Sequence, residues 1–193
     1  MDDLLEPKLA APGAGLPVPE NYIAKLMLGF RCWTGNRESF NAHFIKEREL
    51  IGGLVSSCDE SKLAKRVLIA RPRGLEDSSR NWSVLMTIDH LRIVNDSFVG
   101  IISSLGKGEV PEGEASTAAV KPDPEVTADV IGLYEISCDS VLKTVASVPD
   151  LKTRARYRHP WFWEMNAHDW HALAGGHMAI HRVQIERILA GRR

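Results

Sequence analysis

Apolar residues recur at helical rather than strand spacing along most of the chain. Between Asn21 and Trp33 they fall at Ile23, Leu26, Met27 and Phe30, and Thr34-Gly35-Asn36 then breaks the run. From about Glu38 to Ser57 a second stripe carries Phe40, Phe44, Ile51, Leu54 and Val55. A third begins after Ser83, whose hydroxyl suits a helix N-cap with Trp82 as an apolar staple in front, and runs through Met86, His90, Ile93, Phe98, Ile101 and Leu105. Asp123-Pro124 is an N-cap followed by proline at the first helical position. It predicts a fourth helix bearing Val126, Val130, Leu133, Tyr134, Val141 and Val145 and stopping near Pro149. Asn166, with Asp169 three residues on, opens a last helix from Ala167 to Ala190, and Gly191 closes it.

Four helices of about twenty residues, with no alternating run longer than a few positions, predict an all-α chain folded as a four-helix bundle with an extra N-terminal helical segment. The connections are uneven. Lys65–Ala70 reads as a short strand or an extended crossing, ended by Arg71-Pro72-Arg73-Gly74, while Gly106–Pro124 is a long Gly/Pro-rich crossover. Residues 1–19 hold four prolines and read as a flexible leader, leaving residues 20–193 as one domain.

Composition narrows the class. The 193 residues are 44% hydrophobic and 25% charged with net charge −1, the balance of a globular protein with no global field for nucleic acid or an anionic membrane. No apolar run approaches the length of a membrane span. Three cysteines without a CxxC pair argue for a reducing, cytoplasmic setting and against a thiolate zinc site. Charge is uneven: residues 151–193 carry 8 Lys/Arg against 3 Asp/Glu, a net of +5. Lys152, Arg154, Arg156 and Arg158 read as a solvated loop face, and Arg187, Arg192 and Arg193 as complements to a helix C-terminus.

Five of the seven histidines follow residue 158. His177 and His181, four apart, share one face of the last helix with Trp170, Leu173, Ala174, Gln184, Ile185 and Ile188. His90 lies on the inward stripe of the third helix with Trp82, Met86 and Ile93. Three imidazoles from two facing helices form a divalent-metal face with open positions, the pattern of a catalytic rather than a structural site, or else are core histidines with ordinary hydrogen bonds. His159, held extended by Pro160, lines the pocket mouth or anchors its loop. His168 and His171 read as surface residues, His171 near a dimer interface, and His43 as a partly exposed helix residue. Gln184, one turn past His181, either bonds a metal ligand, caps the pocket or makes a polar helix-packing contact, and Cys138 fills core. Of Trp161, Phe162 and Trp163, at least one belongs at a pocket rim or an interface. Asp89 adjoins His90 but points about 100° away on a helix, so no carboxylate stands out as a general base.

His159-Pro160-Trp161-Phe162, Trp170 and His177-x-x-x-His181-x-x-Gln184-Ile185, with Trp82-Ser83 and His90-Leu91 upstream, resemble the signature of the DinB-like superfamily over residues 20 to 190. The resemblance implies a bundle with a long crossover, a divalent ion (Zn, Ni or Fe) on His90, His177 and His181, and a homodimer. It implies a small-molecule substrate and a thiol-dependent S-transferase using a low-molecular-weight thiol, or a hydrolase. Trp82, Met86, Gln184, His159 and Trp163 then belong to the surroundings of the ligands or the pocket. The alternative is a non-catalytic metal-binding or dimeric stress-response bundle with a vestigial site. Two positions depart from the pattern: Trp163 replaces the usual glycine after HPWF, narrowing the mouth or packing the loop, and Met178 replaces an acidic residue.

Overall fold

The computed structural model describes residues 7–191. The first six positions of the expected leader, and Arg192 and Arg193, lie outside the described residues. Six helices follow one another: α1 (Val18–Thr34), α2 (Arg37–Ser56), the short α3 (Glu60–Ala64), α4 (Val84–Gly106), α5 (Val130–Ser147) and α6 (Ala167–Leu189). A small antiparallel hairpin, β1 (Tyr157–Arg158) with β2 (Glu164–Met165), precedes α6. The four long helices α2, α4, α5 and α6 form the bundle. α6 packs against α2 and α4, and α4 also against α5. No helix is long and apolar enough to cross a membrane among the described residues.

Local chemistry explains the helix starts. Asn36 and Ser39 form a reciprocal capping box at α2. The Ser83 hydroxyl accepts from the Met86 N–H at α4, and the Asn166 side chain from the Asp169 N–H at α6. Each satisfies a backbone donor that helix geometry leaves unpaired. α2 and α6 cross closely at Gly175, where an added Cβ would meet the His43 ring at 2.6 Å. Residues 65–70 are an extended crossing: Val67 N–H and Ile69 N–H donate to the Trp82 and Arg80 carbonyls. The chain then turns at Gly74 (φ +86°), where a side chain would strike Ile180 of α6 at 2.8 Å.

Two expectations need correction. The helix predicted from Asp123-Pro124 begins at Val130 instead. At Asp123 the chain only turns: its carboxylate accepts the Glu125 N–H at 2.9 Å, its own N–H donates to Asp89 of α4 at 2.9 Å, and isolated turns follow before the helix. The crossover is therefore longer than expected. His168 and His171, read as surface, are buried. Their rings pack on Phe40 with centroids 5.0 and 5.4 Å away. His168 Nε2 meets the Cys32 carbonyl at 3.0 Å, and His171 Nε2 meets Asn41 Oδ1 at 2.9 Å. α1 and α2 cover this part of α6, so these two rings are enclosed although they point off the 177/181 stripe.

The segment before α1 is tied to the body at two points. Ala10 N–H donates to Asp77 at 2.8 Å, and Gly13 N–H to Glu76 at 3.5 Å. The three cysteines are free, with Cys138 buried in the core as its apolar neighbours suggest.

Candidate metal centre

α4 and α6 bring His90, His177 and His181 together: one ligand nitrogen from each lies within 4.8 Å of the other two. His90 Nε2 and His177 Nε2 are 3.2 Å apart, close to the roughly 3.4 Å between two nitrogens held tetrahedrally at 2.0–2.1 Å from one ion. The imidazole centroids of His181 lie 4.5 Å from those of both others.

Hydrogen bonds set two of the three tautomers. His90 Nδ1 lies 2.6 Å from the Val120 carbonyl, which only accepts, so Nδ1 carries the proton and Nε2 offers its lone pair. Gln184 Nε2 donates to the Ser79 carbonyl at 2.7 Å, which turns Gln184 Oε1 toward His181 Nδ1, also at 2.7 Å. His181 Nδ1 is therefore the protonated nitrogen as well, and its Nε2 faces the cluster. Such partners orient metal-binding histidines and raise their basicity. His177 Nδ1 is buried without a partner. Burial holds all three rings neutral. It lowers His90 to about 4 and carries His177 and His181 well below the ordinary value, helped by their mutual proximity. His90 Nε2 and His181 Nε2 both bring lone pairs to the cluster, and a proton on His177 Nε2 could fully satisfy only one of them, so a divalent cation fits the group better than the three rings fit one another.

The cluster sits at the base of a cavity of about 600 Å³. Val94, Phe98 and Ile101 of α4, Trp170, Leu173 and Ile180 of α6, and Tyr157, His159, Trp161 and Phe162 of the hairpin form much of its wall. Residues of the crossover, among them Ala115, Thr117 and Val120, close one side. The wall is largely apolar. Its one lysine, Lys121, is held by Glu76 at 2.8 Å.

The predicted surroundings of the ligands sort by position. Gln184 bonds His181 directly. Trp82 lies parallel to the His181 ring, with centroids 6.3 Å apart, and 5.2 Å from His90, backing the cluster. Met86 is buried one turn before His90 but outside the cavity wall. His159 stands in the cavity wall and also bonds within its own loop. Its Nδ1 accepts the Trp161 N–H at 3.1 Å; burial lowers it to about 3. Trp163 turns away from the cavity. Its Nε1 reaches Asp169 at 3.4 Å and its ring edge lies over Gly29, so it packs the loop on α1 rather than narrowing the mouth. Met178 is wholly buried and accepts the Tyr134 hydroxyl at 3.5 Å. His43 stays partly exposed, beside Glu47 at 3.6 Å and apart from the cluster.

Three contributors had no recognisable sequence signal. The Val120 carbonyl is a backbone group, and every residue has one. Asp89, aimed away from the cluster as expected, anchors the crossover at Asp123. Glu76 is the buried hub of that crossover, accepting from Lys121 at 2.8 Å, Thr117 at 2.9 Å and Ser78 at 3.2 Å.

A solved crystal structure, that of TT2238, described as a four-helix bundle protein, is similar over 77% of this chain and 97% of its own, with a TM-score of 0.56 and 20% identity. At that identity the likeness shows the fold alone. A search of curated proteins found no match. The model of the DinB superfamily matches residues 43–185. That span holds most of α2, all of α4 and α5, and the part of α6 that carries His177 and His181, so the chain belongs to the DinB superfamily.

Proposed function

We propose that the protein is a divalent-metal enzyme acting on a small molecule in its apolar cavity, by thiol-dependent S-transfer in preference to hydrolysis. The observation that carries this reading is the set of three neutral imidazoles, two of them oriented by hydrogen bonds, that together line a largely apolar cavity. His90, His177 and His181 would hold the ion, with zinc, nickel or iron(II) all suited to imidazole. When bound, such an ion supplies Lewis-acid polarisation and lowers the pKa of a thiol or water beside it.

The chain's own residues define the rest. Val120 and Gln184 keep two ligand lone pairs turned inward. Trp82 excludes water behind the cluster, and the aromatic and aliphatic wall favours an uncharged, apolar acceptor. Three carboxylates line the cavity, Glu76, Glu112 and Glu114, but Glu76 is engaged by Lys121 and Thr117, and among the described residues no carboxylate is hydrogen-bonded to the three imidazoles. Hydrolysis commonly draws on such a group as general base, whereas a thiol with a lowered pKa ionises without one. A low-molecular-weight thiol is accordingly the proposed cosubstrate. A reducing, cytoplasmic setting would keep both it and the three cysteines as thiols.

The test is metal content by mass spectrometry on untagged protein, followed by a panel of thiols with electrophilic acceptors. One ion per chain, lost in His177→Ala, and thiol consumption matched to acceptor turnover are expected. Absence of bound metal after reconstitution overturns the enzyme reading, and turnover that needs water but no thiol overturns S-transfer.

A further inference from the structure

We infer that the outer face of α1 is a self-association surface whose occupant is α1 of a second copy of this chain. Seven of the twelve large apolar side chains exposed among the described residues lie on this one helix. Tyr22, Ile23, Leu26, Met27, Phe30 and Trp33 are each between 57% and 82% exposed. Water-facing apolar patches on this scale mark interaction sites rather than ordinary surface.

The helix is held to the body by its other side. Leu28 is its buried residue, the Arg31 Nε donates to the Ala172 carbonyl at 3.0 Å, and Glu20 accepts from Arg71 at 3.0 Å. The apolar face is therefore fixed outward, not folded out by chance.

Spacing and area both select a second α1. Ile23, Leu26, Phe30 and Trp33 follow a three-four-three interval, the seam by which one helix packs along another. Laid antiparallel about a twofold axis near Leu26, the face is complementary to itself. Trp33 of each copy covers Val18 and Pro19 of the other, Phe30 covers Tyr22 and Ile23, and Leu26 meets its counterpart, an isologous contact with large groups against smaller ones. Fully covering these side chains would remove at most roughly 900 Å² per copy, with the aromatic ones at about 150–250 Å² each when whole, against about 800 Å² per partner in stable interfaces. Between Glu20 and Arg31 the only charged residue is Lys25, so the two copies bring no cluster of like charge together. A helix that lies on a lipid surface carries a strongly basic polar face. α1 offers only Lys25 and Arg31, the latter bound to Ala172, which favours the protein partner.

Sedimentation velocity on the full chain at micromolar concentration tests this. The wild type is expected at twice the 21.4 kDa chain mass. Leu26→Glu with Phe30→Glu should weaken association by roughly a hundredfold or more, leaving a monomer with unchanged helical circular dichroism and unchanged metal stoichiometry. Both positions are exposed, so folding does not depend on them. The pair Leu133→Glu and Ile136→Glu, at exposed apolar positions of α5, should leave the dimer intact. A monomeric wild type, a dimer that survives the α1 substitutions, dissociation caused by the α5 pair instead, or a monomer that floats with anionic lipid vesicles would each overturn the proposal.

Discussion

Gln184→Leu separates the two jobs of one buried side chain. Gln184 is fully buried and forms two 2.7 Å hydrogen bonds, one accepting from His181 Nδ1 and one donating to the Ser79 carbonyl. Leucine keeps the residue apolar and similar in size but leaves both partners unpaired. Each stranded polar group costs about 1–3 kcal/mol, so the variant should lose roughly 2–6 kcal/mol of stability. At about 2–4 °C per kcal/mol for a chain of this length, Tm should fall by roughly 4–24 °C. Without its acceptor, His181 is free to change tautomer and to turn its protonated nitrogen toward the cluster. Loss of such a partner typically costs about 10–100-fold in metal affinity, or about 1.4–2.7 kcal/mol. Competition titration of zinc against a chromophoric chelator, at a temperature well below Tm, measures the second effect apart from the first. Gln184→Glu restores the acceptor for His181 but not the donor for Ser79, so it should recover zinc affinity more fully than stability. A folded Gln184→Leu protein that binds zinc as tightly as the wild type would refute the tautomer argument, and with it the assignment of Nε2 of His181 as a ligand.

Other consequences can be checked independently. Burial works to raise the Glu76 carboxyl, but Lys121, Thr117 and Gly13 together hold it below its ordinary value. Glu76→Gln removes the counter-charge of Lys121, next in sequence to Val120, and should cost about 2–3 kcal/mol, less than a fully buried pair. It should also speed proteolysis within residues 107–129 and weaken zinc binding several-fold; an unchanged cleavage rate would deny Glu76 its role in holding the crossover. Burial, with help from His168, Arg37 and Arg31, lowers His171 to about 4. It is thus neutral when folded and protonated when unfolded between about pH 6.5 and 4. Protonation favours the unfolded chain, so stability is full above pH 6.5 and falls by up to roughly 1.4 kcal/mol per pH unit per such histidine as pH drops. Urea titrations in chelator across that window should show a shallower slope for His171→Gln, and equal slopes would contradict its buried neutral state. Gly175→Ala should destabilise by about 1–3 kcal/mol, because the new methyl strikes the His43 ring between α2 and α6. An unchanged Tm would mean the two helices are not packed that closely.

The extent of the bundle helices was largely legible from periodicity and caps. Ser83 and Asn166 cap through contacts within three residues, so local sequence suffices to place those starts. The three-histidine cluster was legible for a related reason: His177 and His181 share a face at i and i+4, and His90 occupies an apolar stripe. The exception, Asp123, shows where local rules stop. It carries a helix-start pattern, yet the chain only turns there, bonded to Asp89 34 residues away, and the helix begins at Val130.

What the sequence alone determined was periodic: which residues share a helix face, and hence that three imidazoles point into one interior. What only the tertiary structure decided was the identity of each face's neighbour. The same helical stripe reads alike whether another helix covers it or water does. Leu26 and Phe30 proved exposed on α1, while His168 and His171 proved buried under α1 and α2. Likewise, the proton positions on His90 and His181 depend on a loop carbonyl at Val120 and on a Gln184 side chain turned by Ser79, contacts that span 30 and 105 residues of sequence. Burial and hydrogen bonding are properties of packed surfaces, and a repeat of 3.6 residues constrains one surface at a time.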